Sequence, residues 1–159
     1  MIELISIDVI KNDDGGHKDI IFSVPDLIID GVFDSYYFGI FIEPIESFQD
    51  VRNAIAELIN FWKTKILACE IGEVVYLPID FSDQYTGCLK VEKLGEEIKL
   101  NYGYSLREGY SVNPISPEDY YKEIDDFKLT SEETLIVSQN RFTSDLEKNI
   151  IKLTTSHHS

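Results

Sequence analysis

From Val51 onward, apolar residues recur every three or four positions: Val51, Ile55, Leu58, Trp62 and Ile66. That spacing stacks them along one stripe and predicts a long amphipathic helix over about residues 47–68. Asp50, Asn53, Glu57, Asn60 and Thr64 fall off the stripe. Ser47, with Asp50 three residues on, suits the start of such a helix. Lys63 and Lys65 suit its C-terminal dipole, and Gly72 suits its stop.

On either side of the helix the period drops to two. In residues 3–10, Ile5, Ile7 and Val9 alternate with Ser6 and Asp8, which predicts a half-buried strand. Residues 12–16 are turn chemistry, and residues 19–24 predict a returning strand. Residues 27–29 read as a short strand turned by Asp30 and Gly31. Residues 36–42 are apolar on both faces, as in a central strand. After the helix, residues 74–77 predict a strand closed by Pro78, and residues 80–87 (DFSDQYTG) a polar loop. Residues 88–93 and 98–104 flank a hairpin turn, and Ile98, Leu100, Tyr102 and Tyr104 share one face. Residues 108–112 could add a strand. Ser116 and Pro117 open a short helix to about residue 124. Thr130 with Glu133 forms a second capping box before a C-terminal helix carrying Phe142, Leu146, Ile150 and Leu153, although residues 135–137 suit a strand equally. Strands, one long helix, then more strands predict an α+β fold. Its mostly antiparallel sheet of hairpins packs on the long helix, with C-terminal helices behind. Residues 1–153 form one domain, and 154–159 a flexible tail.

Charge changes this picture most. The 159 residues hold 29 acids against 14 bases, a net charge of −15, with the excess heaviest in residues 1–70. Such a surface repels nucleic acid and anionic membrane, and draws basic partners. Acidity also serves plain solubility, so both readings stand. The N-terminus carries acids rather than a basic segment, no apolar run reaches membrane-span length, and two cysteines make no disulfide framework. These features predict a cytoplasmic protein.

Candidate chemistry is sparse. The metal-ligating inventory is His17, His157, His158, Cys69 and Cys88, and its spacing predicts no metal site and no cofactor. Cys88 with His17 would make a nucleophile only if the fold joined them. Asp80 and Asp83 could act as an acid–base pair, anchor a turn, or contact a partner. Tyr85, Tyr102, Tyr104 and Tyr110 suit either sheet packing or interface anchoring. Glu118, Asp119, Glu123, Asp125, Asp126, Glu132 and Glu133 form an acidic run that is either a solvated face or a docking surface for a basic protein. The candidate partner-binding set is therefore Asp80, Asp83, Tyr85, Tyr104, Tyr110, Glu118, Asp119, Asp125 and Asp126.

YLPIDFSDQYTGCLKV (residues 76–91) and YGYSLREGYSVNPISPEDYY (residues 102–121) resemble small acidic bacterial proteins encoded beside polymorphic toxins of the Rhs or contact-dependent type. The resemblance covers about a third of the chain. It implies an immunity protein, single-domain and non-enzymatic, that neutralises one toxin by binding it. It brings no contact residues with it.

Overall fold

The computed structural model describes residues 3–10, 18–41, 48–118, 120, 122 and 124–155. Its strands are β1 (Ser6–Val9), β2 (Lys18–Val24), β3 (Ile29–Asp34), β4 (Val74–Phe81), β5 (Thr86–Lys93), β6 (Glu97–Ser105), β7 (Lys128–Leu129) and β8 (Leu135–Ser138). Its helices are α1 (Tyr36–Phe41), α2 (Phe48–Ala68) and α3 (Gln139–Thr154). The class is α+β, with every described strand pairing antiparallel, as the alternating periods predicted. The strands divide into two sheets. One has the order β1-β2-β3; the other has β4-β5-β6, with β7 and β8 sharing the far edge of β6.

The long helix is where the hydrophobic stripe placed it. Ile55, Leu58, Trp62 and Ile66 are buried, and Val51 is partly so. Trp62 joins the two sheets. Its ring packs edge-on against Phe22 of β2, and its indole N–H donates to the carbonyl of Pro78 in β4 (3.2 Å). Phe22 also lies 6.0 Å from Tyr102 of β6, centroid to centroid.

The polar interior lies at the other end of α2. β1 is an edge strand, and such an edge leaves backbone groups open to mispairing. Here α3 covers it with side chains. Asp145 accepts from the backbone N–H of Leu4 (2.6 Å), and Asn149 accepts from that of Ile7 (3.0 Å) while donating to the carbonyl of Ile5 (3.0 Å). Arg52 of α2, only 3% exposed, donates to the carbonyls of Lys152 (2.6 Å) and Leu153 (3.2 Å) and to Asp8 (2.8 Å). A cation there suits the negative end of the α3 dipole.

Several elements differ from expectation. Residues 36–41 are helix, not strand: Asp34 accepts the backbone N–H of Tyr36 (2.7 Å) and the Ser35 carbonyl that of Phe38 (3.0 Å), which starts a helical turn. Asp30 and Gly31 lie within β3, because the reversal is already made by the 3-10 turn Pro25–Leu27 and by Ile28 at φ 55°. Pro78 does not end β4. Its missing N–H is tolerated beside a register shift on this edge strand. Gly109–Ser111 is a 3-10 turn rather than a strand. The described residues of 116–124 form turns rather than a helix, held by Glu118 N–H to the Ser116 carbonyl and Tyr120 N–H to the Pro117 carbonyl. Thr130 caps no helix; its N–H donates to the Tyr102 carbonyl (3.0 Å), and residues 135–138 pair with β6. The one C-terminal helix among the described residues starts at Gln139, with Ser138 as its cap, and continues to Thr154. The turn at 12–16, Ser47 and His17 lie outside the described residues.

Candidate functional site

A groove opens between the two sheets, where β3 and α1 face the β4–β5 turn and the outer half of β6. It comprises two adjoining cavities of about 660 and 510 Å³ that share Phe33, Asp80 and Tyr85. The first is also lined by Asp34, Tyr36, Tyr37 and Asp83; the second by Gly87, Tyr102, Gly103 and Tyr104. The end of β4 delivers Asp80, directly across from Gly87 of β5. The tight turn that follows, closed by Ser82 N–H on the Tyr85 carbonyl (3.0 Å), presents Asp83 and Tyr85. Gly109 donates to the Ser82 carbonyl (2.7 Å), which pins the 3-10 turn carrying Tyr110 against the same rim.

The electrostatics are one-sided. Among the described residues, no lysine or arginine lines either cavity. Asp80 is half-buried, and desolvation raises its carboxyl above the usual range; a hydrogen bond from Tyr85 opposes this, while the nearby Asp34 charge adds to it. Tyr37 donates to Asp83, and that bond above all, with burial added, pushes the phenol up to about 12. Burial likewise raises Tyr85 and Tyr102. The rings of Tyr85 and Tyr104 meet edge to face at 6.1 Å. Tyr36, Tyr85 and Tyr110 are exposed around the mouth.

Of the residues singled out in the sequence, Asp80, Asp83, Tyr85, Tyr102 and Tyr104 gather at this groove. Tyr110 lies near enough to raise the Tyr37 phenol. The acidic run does not form one surface with them. Glu118 pairs with Lys65 of α2 (3.2 Å), beside a shallow 700 Å³ hollow on that helix. Asp126 accepts from the backbone N–H of Leu106 (2.9 Å), Asp125 is exposed, and Asp119 lies outside the described residues. Asp34, Phe33, Tyr36 and Tyr37 were not anticipated. The Asp34–Ser35 capping pair was their available signal, since it sets α1 beside the groove.

The other candidate chemistries fare differently. Cys88 is fully buried, and burial pushes its thiol up to about 12, so it is a protonated core side chain. Cys69 is also buried, with its thiol raised by desolvation. The described residues hold no group of three or more potential metal ligands, and the three histidines lie outside them. No described helix is long and apolar enough to cross a membrane. Comparisons with protein-family models, with curated proteins and with solved structures found no match.

Proposed function

We propose that this protein is a cytoplasmic, non-enzymatic immunity-type inhibitor that binds a cognate bacterial toxin domain and occludes its basic surface. The observation that carries the reading is the groove: Asp34, Asp80 and Asp83 line it with no described cation beside them, and exposed tyrosines ring it. Partner surfaces are commonly anchored by aromatic side chains at the centre of a charge-complementary patch. The net charge of −15 would steer a basic partner toward it.

The test is kinetic binding to the product of the adjacent gene at two ionic strengths. Association should slow steeply as salt shortens the Debye length from about 10 Å at 0.1 M to about 3 Å at 1 M. A product that does not bind, or an on-rate indifferent to salt, removes the reading. A second reading, a binding domain for a small ligand with acidity serving only solubility, draws on the 510 Å³ cavity, which has the dimensions of a small-molecule site. Under it, the neighbouring gene product does not bind, and a metabolite raises the melting temperature.

A further inference from the structure

The inner cavity is faced by a polar group that makes no bond within the described chain. Tyr102 is only 7% exposed, yet its hydroxyl has no hydrogen-bond partner among the described residues. That oxygen lies 2.7 Å from where a Cβ on Gly87 would stand, and Asp80 Cβ lies 2.9 Å from the same point. Any side chain at 87 would strike both. The glycine therefore leaves room for that hydroxyl and Asp80 to stand side by side against β5, in the wall of the cavity. Tyr85, Tyr104 and Phe33 supply aromatic faces around it.

Several acids elsewhere in the described chain are paired with a base. Asp8 meets Arg52, Glu147 meets Lys63, Glu118 meets Lys65, and Glu73 meets Lys122. Asp80 has no such partner among the described residues, and its charged neighbour is another acid, Asp34. A desolvated carboxylate without a counter-charge is unfavourable unless a cation arrives from outside. Aromatic faces beside a carboxylate suit a planar guanidinium better than a compact ammonium. Guanidinium stacks on tyrosine, bonds a carboxylate through two parallel N–H groups, and still has donors left for a hydroxyl oxygen.

We propose that the cavity bounded by Asp80, Tyr85, Gly87, Tyr102 and Tyr104 is an arginine pocket, which receives one arginine side chain of the protein partner. Asp80 pairs the guanidinium, the Tyr102 hydroxyl accepts one further N–H, and the tyrosine rings flank the plane. The occupant is a side chain of a protein because the mouth carries exposed Tyr36 and Tyr85, with Tyr110 on the adjoining rim, which give a macromolecule further surface to cover. The partner assignment rests on the inhibitor reading above; the guanidinium chemistry does not.

The experiment titrates the intact protein with agmatine, which carries a guanidinium and an ammonium on a four-carbon chain, following amide NMR shifts at Gly87 and Gly103. The diammonium 1,4-diaminobutane, of equal charge and chain length, is the control. Agmatine should saturate with a Kd on the order of millimolar, as its few atoms allow. The Asp80→Asn protein should bind it at least tenfold more weakly, Tyr102→Phe several-fold more weakly, and 1,4-diaminobutane should bind the wild type more weakly than agmatine does. Dispersed spectra of both variants show that they are folded. In the complex with the adjacent gene product, Asp80→Asn should raise the off-rate at least tenfold. The pocket is overturned if agmatine gives no saturable shift, if 1,4-diaminobutane matches it, or if Asp80→Asn binds it equally. A gene product that binds wild type and Asp80→Asn alike overturns the arginine contact while leaving the inhibitor reading intact. Saturable agmatine with no binding of the gene product overturns the partner assignment and the inhibitor reading, and leaves the guanidinium site standing.

Discussion

Where β1 meets α3, Asp8, Arg52, Asp145 and Lys152 each face an opposite charge or a backbone group. In the groove between the sheets, Asp34, Asp80 and Asp83 face tyrosines and one another. Both regions hold polar groups away from water, and both are built from elements far apart in sequence. The first is closed on itself: its donors and acceptors meet within the chain, as stability requires. The second has hydrogen bonds but no counter-charge from the described chain, and the arginine proposed above would supply it. Both contain acids. The presence or absence of a cation from the described chain separates them.

Substitutions should divide along that line. The largest effect is expected at the closed end. Arg52→Ala strands two helix carbonyls and Asp8, and breaking a buried charged network costs about 3–5 kcal/mol. For a chain of this size that lowers Tm by on the order of 10 °C, readable by thermal unfolding. Asn149→Ala leaves the N–H of Ile7 and the carbonyl of Ile5 without their partner. It should cost about 1–3 kcal/mol in the same assay.

At the open end the sign reverses. The Asp80 carboxyl is raised in the folded protein, by desolvation first and by Asp34 second. Its ionisation therefore penalises folding. The penalty is absent below the unfolded value near 3.9, grows as pH climbs through the raised folded value, and is fully present above it. Asp80→Asn should raise Tm at pH 7 and leave it nearly unchanged at pH 3, even as it weakens partner binding. A lower Tm at pH 7 would mean that Asp80 is a structural acid like Asp145, and the contrast between the two regions would fail. The smallest effect is expected at exposed Asp125. Asp125→Lys should shift stability by no more than about 0.5 kcal/mol and slow association with a basic partner, without changing its off-rate.

The long helix was legible because its period is uninterrupted, and Trp62 is buried as its place on the stripe implied. The β5–β6 hairpin was legible because Leu94 to Glu97 hold it together as a local turn. The first helix was not, because residues 36–42 are apolar enough to satisfy either period, and the deciding cap is two polar residues upstream. Arg52 offered no local signal at all; the carbonyls that it binds lie a hundred residues away. The groove was half legible. Asp80, Asp83 and Tyr85 lie within one short stretch, so they read as a group, although Asp80 belongs to the end of β4 rather than to the expected loop. Tyr102 and Tyr104 stood out on their strand. Asp34 and Tyr37 reach the same place from other elements, which no spacing records. Asp126 illustrates the converse: it read as docking charge, yet its carboxylate serves the backbone at Leu106.

The bonds from α3 to β1 also set a timetable for synthesis. Leu4 is 141 residues ahead of Asp145, its hydrogen-bond partner. At about 5–20 residues per second, a ribosome makes the one about 7–28 s before the other. Through that interval the outer edge of β1 has no cover, although β2 and β3 are already available to pair behind it. The nascent chain thus displays an open strand edge, the kind of surface that recruits other strands.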